Sequence, residues 1–304
     1  MTDAEEAGAF PASELDALLD HLFVRTGLDF RRYARRSVER RLRHLMQQET
    51  LGTGREVRAH RASAAAAKAF AERLCVNVTA MFRDPPFWVA LRDRVVPRLR
   101  GLPLVRVWSA GCATGEEAYS LAILLREAGL LSRTRIYATD VDEAALERAR
   151  GGEYPLDHMR DSTQAYQRAG GTAAFSDYYD ARAGGATMRA PLRRAIVFAR
   201  HNLVTDASFN AFHLVLCRNV LIYFGPALQE QVRALLAESL VPGGVLGVGA
   251  RELVATGAGC GYLELDAAAR LYRRADGDGG DGGDGGSGGS GGSGGADRFD
   301  RPPP

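Results

Sequence analysis

The strongest chemical signal in the chain is a glycine-containing loop between a predicted strand and a predicted helix. The loop lies within Val107–Ser120 (VWSAGCATGEEAYS) and contains Gly111 and Gly115. In open parallel sheets, a strand that breaks at glycine and continues as a helix can bind a nucleotide, whose polar groups meet the helix N-terminus. The spacing is G-x-x-x-G instead of G-x-G-x-x-G, and no Lys-Ser/Thr pair follows. A tight turn without a ligand is therefore the alternative.

An acidic residue ends the next predicted strand. Residues 134–139 alternate as a buried strand does, and Asp140 follows them. An acid at the carboxyl end of the second strand can accept hydrogen bonds from both ribose hydroxyls of an adenosine ligand. Asp140 or Asp142 could instead cap the helix predicted at Glu143–Arg150. We assign the ribose to Asp140 and the helix cap to Asp142.

These two motifs, together with two others, resemble the CheR family. In chain order the motifs are NVTAMFRD (Asn77–Asp84), WSAGCATGEE (Trp108–Glu117), ATDVD (Ala138–Asp142) and CRNVLIYF (Cys217–Phe224). The resemblance extends from about Leu15 to Arg274. It implies an enzyme that transfers a methyl group from S-adenosyl-L-methionine to glutamate side chains of chemotaxis receptors, leaving S-adenosyl-L-homocysteine.

The resemblance also implies which residues bind the cofactor. Asn77, Thr79 and Arg83 contact its methionine end, and Glu117 faces its amino-acid part. Stabilisation of the first helical turn is the alternative role for Glu117. The other implied contacts lie in the glycine loop, at the acid assigned to the ribose, beside the adenine and at the end of a later strand. In that order they are Ala110 and Gly111, Asp140, Asn202 and Leu203, and Arg218 and Asn219.

Two residues are implied as catalytic, Arg83 and Tyr223. A guanidinium can clamp a carboxylate, and the family counterpart of Tyr223 lies near the transferred methyl group. An interface salt bridge for Arg83 and core packing for Tyr223 are the alternatives. A glutamate acceptor is already ionised at neutral pH, so the reaction needs alignment, worth about 7–11 kcal/mol, and no strong base. The six histidines are dispersed without H-x-x-x-H spacing, so we predict no metal site.

Composition limits the classes of protein that the chain can represent. The 304 residues carry a formal net charge of +2, which provides no global field for nucleic-acid binding. No apolar run is long enough to span a bilayer, the N-terminus lacks a signal-peptide pattern, and the four cysteines are scattered. These features predict a cytoplasmic protein without membrane insertion. We also expect a monomer. Residues 277–295 contain only Gly, Asp and Ser, which predicts a disordered tail over 276–304.

Arginine is concentrated near the N-terminus. Apolar spacing predicts helices at Glu14–Val24 and Phe30–Gln47. Residues 25–43 contain eight arginines against two acids. A charge run is ordinarily a solvated face, but arginine forks also bind carboxylates, and in the CheR family the N-terminal helix meets the glutamate-rich methylation region of the receptor. We expect this receptor contact to involve Arg32, Arg36, Arg40 and Arg43.

The order of predicted elements indicates an α/β protein. Strands are predicted at 104–108, 134–139, 195–199, 212–217, 243–250, 261–265 and 269–274, and helices at 115–129, 142–150 and 226–240. This pattern predicts a doubly wound Rossmann-like methyltransferase sheet with an antiparallel edge hairpin, preceded by a small all-helical N-terminal domain. The predicted domains are a helical domain at 1–76, a linker with the cofactor-contact motif at 77–103, and a methyltransferase domain at 104–275.

The segment at residues 178–194 does not fit this alternation of strands and helices. In many CheR enzymes the region matching residues 178–194 holds a small β-subdomain that captures a pentapeptide at the receptor C-terminus. Here the segment is short, contains Gly184-Gly185 and has few apolar residues. We expect a reduced subdomain and an enzyme that does not depend on the pentapeptide.

Two other functions fit the same sequence. A methyltransferase for a different acceptor would keep the cofactor site and change the N-terminal contact. A non-catalytic module that binds S-adenosylmethionine or S-adenosylhomocysteine as a signal is the second, and the presence of both Arg83 and Tyr223 argues against it. One departure from the family bears on the acceptor: Gly249–Glu252 (GARE) replaces a Gly-x-Ser-Glu motif, and we expect the change to Arg251 to affect the substrate side of the cleft.

Overall fold

The computed structural model describes residues 11–75, 77–182, 184–256 and 261–275. The predicted tail at 276–304 lies outside these residues. The N-terminal unit consists of four helices, α1 (Ala12–Thr26), α2 (Arg35–Gln48), α3 (Gly54–His60) and α4 (Ala64–Leu74). Apolar residues at helical spacing build its core, in which Leu15, Leu18 and Leu22 of α1 are fully buried together with Leu42 and Phe70. The predicted all-helical unit is confirmed.

The helix predicted at Phe30–Gln47 is wrong at its start. Phe30–Arg32 form a 3-10 turn, and α2 begins only at Arg35. Between them the backbone of Tyr33 is extended, with φ −78° and ψ 163°. An extended residue ends a helical run, because the next amide can no longer point along the helix axis.

The extended residue joins the N-terminal unit to the rest of the chain. Tyr33 forms an isolated antiparallel bridge with Phe224. The Ala34 amide donates to the Tyr223 carbonyl oxygen at 2.8 Å, and the Gly225 amide donates to the carbonyl oxygen of residue 32 at 2.9 Å. The rings of Tyr33 and Phe224 meet edge to face at 5.0 Å. The two units are therefore joined by backbone hydrogen bonds beside Tyr223.

The second unit is built on a seven-stranded sheet with the order β6-β2-β1-β7-β8-β10-β9. Its strands are β1 (Val105–Ala110), β2 (Thr134–Asp140), β6 (Ile196–Arg200), β7 (Phe212–Cys217), β8 (Leu240–Val248), β9 (Tyr262–Asp266) and β10 (Leu271–Arg274). The five strands from β6 to β8 pair in parallel, and β10 is antiparallel to both of its neighbours. The predicted doubly wound sheet with an antiparallel edge hairpin is confirmed.

Helices cover both faces of this sheet. They are α5 (Pro85–Ala90), α6 (Val96–Leu99), α7 (Glu116–Glu127), α8 (Glu143–Gly151), α9 (Leu156–Arg168), α10 (Ala190–Arg194) and α11 (Pro226–Glu238), with a π-helical turn at Leu91–Val95. Alternate residues of β1 join opposite cores: Val105 and Val107 pack with α7, and Trp108 and Ala110 pack with α11. This two-sided burial is typical of parallel sheets.

The boundary between α11 and β8 differs from its prediction. The predicted helix over 226–240 ends at Glu238, and the strand predicted from residue 243 begins at Leu240. Pro242 and the glycines after it therefore lie inside β8, where the pairing with β7 shifts between Phe212 and Leu214. A proline fits a strand at such an irregularity, because no ladder hydrogen bond needs its missing N–H.

A second, three-stranded antiparallel sheet has the order β3-β5-β4. Its strands are β3 (Glu153–Tyr154), β4 (Tyr179–Arg182) and β5 (Gly185–Met188). A reduced subdomain was predicted at 178–194, and neither β3 nor α9 was predicted. β3 is only two residues long and lies outside that range, so it is too short for an alternating pattern to be recognised.

The described part of the chain contains no helix that is long and apolar enough to cross a membrane.

Candidate active site

A cleft opens at the carboxyl edge of β1, β2 and β7, where the helical unit faces the sheet. It encloses about 1160 Å³, counting its open mouth, which is enough for a nucleoside-sized ligand. The carboxyl edge is also where open α/β sheets bind their ligands. The predicted site residues that line the cleft are Asn77, Thr79, Arg83, Gly111, Glu117, Asp140, Asn202, Leu203, Arg218, Asn219 and Tyr223.

Ala110 is the predicted cofactor contact that is not brought to the cleft. Its side chain is 1% exposed and packs with Trp108 in the core beneath α11. As the last residue of β1, Ala110 can support the loop that follows, but its methyl group points into the protein interior.

The two glycines of the loop have the backbone conformation predicted for them. Gly111 and Gly115 have φ values of 75° and 93°, which favour glycine. A Cβ at Gly111 would collide with the side chain of Val220, and a Cβ at Gly115 would lie 2.9 Å from the Ala149 Cβ of α8. The glycines therefore let the loop pack closely against the protein itself, and Gly111 also lines the cleft.

Asp140 ends β2 with its carboxylate at the cleft. It is 8% exposed and accepts from the amide of Ala113 at 2.8 Å and from the amide of Asp142 at 3.0 Å. Burial raises the pKa of the Asp140 carboxyl group, and the hydrogen bonds from these amides partly oppose that rise. The carboxylate orders the glycine loop, because Ala113 has a positive φ of 47° that an alanine rarely adopts.

Asp142 has the capping role assigned to it from the sequence. Its Oδ1 accepts from the amides of Ala144 and Ala145 at 2.9 and 3.1 Å at the start of α8. Its other oxygen accepts from the Asn77 Nδ2 at 2.5 Å. Asn77 therefore lies at the cleft, and Asp142 fixes the position of its side-chain amide.

Glu117 and Arg218 form a buried pair at the centre of the cleft. The Arg218 side chain is 2% exposed and donates from Nη1 to the Glu117 Oε2 at 3.3 Å. Its Nη2 donates to Asp84 Oδ2 at 2.9 Å and to the carbonyl oxygen of Arg83 at 3.1 Å. Ser109 Oγ donates to Glu117 Oε1 at 2.8 Å. Arg218 thus connects β7, α7 and the segment that carries Arg83.

The electrostatics of Glu117 follow from this position. Burial raises the pKa of its carboxyl group, and the Arg218 guanidinium offsets part of that rise. Glu117 lies in the first turn of α7, so the helix dipole favours its negative charge as well. Both proposed roles, a ligand contact and first-turn stabilisation, are consistent with the observed geometry.

Asn202 and Leu203 line the cleft on the loop after β6. Asn202 Oδ1 accepts from the Val204 amide at 3.0 Å, and the Asn202 amide donates to Asp206 at 2.8 Å. These local bonds form a tight turn that is typical of asparagine. His201, which the sequence analysis did not single out, lines the cleft beside them and packs edge to face on Trp108.

Tyr223 lies at the mouth of the cleft among arginines. It is half-buried on the 3-10 turn Leu221–Tyr223, and its pKa is raised by burial, while Arg83, Arg40 and Arg41 oppose that rise. Arg83 Nη1 donates to the carbonyl oxygen of Val78 at 2.9 Å, which directs the side chain along the cleft wall. No ion pair of Arg83 is found within the described residues, so the interface salt bridge considered above is not formed.

The arginine-rich helix is less unbalanced than its sequence indicates. Acids of α1 supply partners that residues 25–43 lack: Arg31 pairs with Asp20 at 3.0 Å, and Arg35 pairs with Asp16 at 2.8 Å. The local excess of positive charge is therefore partly balanced by acids that lie outside residues 25–43. The sequence pattern does not show that α1 packs beside α2, which places these acids next to the arginines.

The four arginines expected to bind the receptor differ in their surroundings. Arg32 donates to Gln231 Oε1 at 2.6 Å, and Arg43 donates to Glu39 Oε2 at 3.4 Å. Arg36 and Arg40 lie one helical turn apart on α2 and are exposed, and neither has an ion pair within the part of the chain that the structure describes. Arg40 is also near enough to influence Tyr223.

The cleft residues contributed by the N-terminal unit, and by the segment that joins it to the sheet, were not predicted from the sequence. They are Phe30, Tyr33, Ser37, Val38, Arg41, Leu74, Cys75, Val78 and Ala80. Arg41 is held by the carbonyl oxygens of Arg73 and Cys75, at 2.9 and 3.4 Å. In the sequence, Arg41 could be recognised only by its position, one turn before the end of the apolar face of the predicted helix. This position does not distinguish a residue that lines a cleft from one that packs in a core.

The charges of the cleft are separated. The interior contains the carboxylates of Asp140 and Glu117, and Arg218 pairs with Glu117 there. Arg41 and Arg83 line the cleft near Tyr223, and Arg40 lies outside this lining but close enough to influence Tyr223. A ligand with a positive charge and hydroxyl groups fits the interior, and an anionic partner fits the mouth. S-adenosylmethionine carries a sulfonium, an ammonium and two ribose hydroxyls, so its chemistry fits the interior.

Comparisons with known proteins agree with this geometry. A family model described as the SAM-binding domain of CheR methyltransferases matches residues 77–259, and one described as their all-alpha domain matches residues 13–55. The chain is 43% identical over 244 residues to a Pseudomonas putida protein provisionally named methyltransferase Cher3, covering 79% of this chain and 89% of that protein.

Two further relatives are named chemotaxis protein methyltransferases. The Listeria innocua protein is 35% identical over 245 residues, which cover 79% of this chain and 90% of its own length. The Pseudomonas aeruginosa protein, chemotaxis protein methyltransferase 1, is 33% identical over 192 residues, covering 60% of this chain and 68% of its own. The chain therefore belongs to the CheR family of S-adenosylmethionine-dependent methyltransferases.

Proposed function

We propose that the protein methylates glutamate side chains of a chemoreceptor, using S-adenosyl-L-methionine and releasing S-adenosyl-L-homocysteine, in chemosensory adaptation. The observation that carries this proposal is the separation of charge between the acidic interior of the cleft and its basic mouth. A neutral acceptor would gain nothing from Arg40, Arg41 and Arg83 around Tyr223, whereas a carboxylate acceptor is attracted by all three. The names of the relatives support the chemotaxis assignment.

The cofactor would be bound by the residues of the interior. Asp140 would accept from the ribose hydroxyls, Glu117 would face the ammonium group, and Asn202 and Leu203 would flank the adenine. Asn77 is fixed by Asp142 beside Thr79, which suits the methionine end. Arg218 and Asn219 would complete this wall, with Arg218 acting mainly as the support of Glu117.

The residues at the mouth would orient the acceptor. When bound, S-adenosylmethionine supplies the methyl group, and its C–S bond breaks as the new C–O bond forms on the acceptor. The Arg83 guanidinium would neutralise and align the incoming carboxylate, which needs no base because it is already ionised. The Tyr223 hydroxyl keeps its proton because its pKa is raised, so it would act as a hydrogen-bond donor. Both side chains would exclude water from the reacting oxygen.

The partner would be the cytoplasmic helical bundle of a receptor, at its glutamate-rich methylation region. Arg36 and Arg40 provide exposed positive charge on α2 beside the cleft, and Arg32 and Arg43 flank them. A protein that acts there would work in the cytoplasm. We propose the monomer as the active form, since both units that line the cleft come from one chain.

The test is methyl transfer from tritium-labelled cofactor to a purified receptor cytoplasmic fragment. We expect label that is released as methanol by base, and no label on a fragment whose glutamates are replaced by glutamine. Tyr223→Phe should lose most of the activity, and Tyr137→Phe, a half-buried tyrosine on β2 away from the cleft, should retain it. Label only on another acceptor, or tight binding of S-adenosylhomocysteine without turnover, would contradict the proposal.

A further inference from the structure

A second recess lies on the other side of the turn that carries Tyr223. It encloses about 660 Å³, counting its open side. The recess is lined by residues of that turn, of α11 and of the segment after β8, among them Ile222, Glu230, Arg233, Arg251, Glu252 and Leu253. None of these residues lines the cleft, so the recess is separate from the proposed cofactor site.

The recess and the cleft share one wall. Leu221 and Ile222 face the recess, and Tyr223 faces the cleft from the same three-residue 3-10 turn. From Leu221 to Tyr223 such a helix rises by two steps, roughly 4 Å. That distance is shorter than the pitch of an α-helix, about 5.4 Å. Two side chains one turn apart on a bound helix would therefore reach the two sides of this wall.

The recess combines exposed apolar surface with two arginines and two glutamates. Leu253 is 64% exposed, an unusual value for a leucine, and Ile222, which also lines the recess, is half-buried. Arg251 is exposed and has no ion pair within the part of the chain that the structure covers. Both glutamates already have partners, because Glu230 pairs with Arg233 at 2.9 Å and Glu252 accepts from backbone amides. Arg251 is thus the charge that remains available.

We propose that the recess binds the part of the receptor helix that flanks the methylated glutamate. Its occupant is an acidic side chain one helical turn from the acceptor, which pairs with Arg251 while an apolar neighbour covers Leu253. This inference rests on the proposed function and adds a specificity determinant to it. A positive charge beside an exposed apolar side chain matches an amphipathic helix that carries glutamate. Arg251 would thereby select which glutamates are methylated.

The test combines a charge swap on the enzyme with one on the substrate. A receptor fragment that the wild-type protein methylates is compared with a version in which the acidic residue one turn from the acceptor is replaced by lysine. We expect Arg251→Glu to raise the KM for the original fragment by about fivefold to tenfold, the size of one reversed ion pair. The same variant should methylate the lysine fragment better than the wild-type protein does. Leu253→Asp should raise the KM as well.

Matched controls separate this inference from the proposed function. Arg98→Glu removes an exposed arginine of α6 and should leave the KM within twofold, and S-adenosylhomocysteine affinity should be equal in all variants. If the wild-type protein methylates no receptor fragment, the proposed function fails. If it does, but Arg251→Glu shows neither the higher KM nor the swap, the recess inference is overturned. A change of oligomeric state on sedimentation of Arg251→Glu alone would overturn it too, since the recess would then bind a second copy.

Discussion

The backbone N–H of Asn219 donates to the Glu252 Oε2 at 2.9 Å, which couples the segment after β8 to the turn that carries Tyr223. The same carboxylate accepts from the amides of Gly249 and Ile222 at 2.6 and 3.2 Å, and Glu252 is only 3% exposed. Asn219 has a positive φ of 60°, a conformation that needs such support. Glu252 is therefore a positioning residue: it holds the turn without lining the cleft.

Replacement of Glu252 should disturb activity through Tyr223. Glu252→Ala would leave buried N–H groups without acceptors, at a cost of about 1–3 kcal/mol for each group, and should lower both the free energy of unfolding and kcat. Glu252→Gln keeps one acceptor oxygen, so its free energy of unfolding and its kcat should lie between those of Glu252→Ala and those of the wild-type protein. The decisive measurement is a double-mutant cycle with Tyr223→Phe. We expect the two losses in kcat to be less than additive. Fully additive losses would show that Glu252 acts independently of Tyr223.

Asp140 should be required for cofactor binding. Asp140→Ala should weaken S-adenosylhomocysteine binding more than tenfold, because charge-assisted hydrogen bonds contribute about 1.5–3 kcal/mol each. Asp140→Asn keeps an acceptor for the Ala113 amide and should weaken binding less. Calorimetry measures both affinities. Unchanged affinity in Asp140→Ala would remove this residue from the proposed site.

The pH dependence of unfolding gives an independent check on Asp140. Burial raises the pKa of this carboxyl group, so its protonated form is favoured in the folded state. Its contribution to stability is therefore present below the unfolded pKa of about 3.9 and is lost as the pH rises through the folded pKa. At neutral pH, Asp140→Asn should be at least as stable as the wild-type free protein in urea. A clear loss of stability would mean that the charge itself holds the glycine loop.

The hydroxyl of Tyr223 should act as a donor over the whole working range of pH. Its pKa is raised because burial outweighs the nearby arginines, so no titration of Tyr223 is expected below pH 10. We expect kcat to be flat from about pH 6 to pH 9, with an acidic limb set by an acceptor carboxyl of pKa about 4.3. Tyr223→Phe should lower kcat by about 10²-fold without changing the profile or S-adenosylhomocysteine affinity. An alkaline rise in the wild-type rate would instead identify a phenolate acting as base.

Local patterns were sufficient for the seven-stranded sheet and for the capping role of Asp142, because that residue directly precedes a helix. The cleft residues on the sheet side, such as Asn202 and Arg218, were implied by the family resemblance and not by local patterns. Tyr33 and Arg41 were not predictable, because their roles depend on the pairing of residues 32–34 with 223–225, far apart in sequence. The pairing of Arg35 with Asp16 was missed for the same reason, since it joins two different helices. Long-range packing, which periodicity does not encode, accounts for these differences.

The prediction that methylation does not depend on a receptor pentapeptide is directly testable. The small sheet ends in β4, an edge strand of only four residues, which offers few main-chain groups to an added strand. Removal of the five C-terminal residues from a full receptor should therefore change kcat/KM by less than twofold. A loss of tenfold or more would show that the three-stranded sheet does capture the receptor terminus.

The exposed arginines of α2 should contribute to receptor binding by long-range attraction. Arg36→Glu and Arg40→Glu together reverse two charges beside the mouth of the cleft, without disturbing the bonds of Arg32 and Arg43. Each exposed pair contributes about 0–1 kcal/mol, so reversal of both should raise the receptor KM by about tenfold.

Salt and a matched variant separate this effect from damage to the fold. The Debye length falls from about 10 Å at 0.1 M salt to about 3 Å at 1 M, so added salt should raise the wild-type KM and narrow its difference from the double variant. Arg98→Glu with Arg100→Glu makes the same change of charge near the amino edge of the sheet and should leave the KM within twofold. Cofactor affinity should be equal in all three proteins. A receptor KM that is insensitive to both salt and the α2 reversal would show that α2 is a solvated face, and receptor recognition would then have to lie elsewhere on the chain.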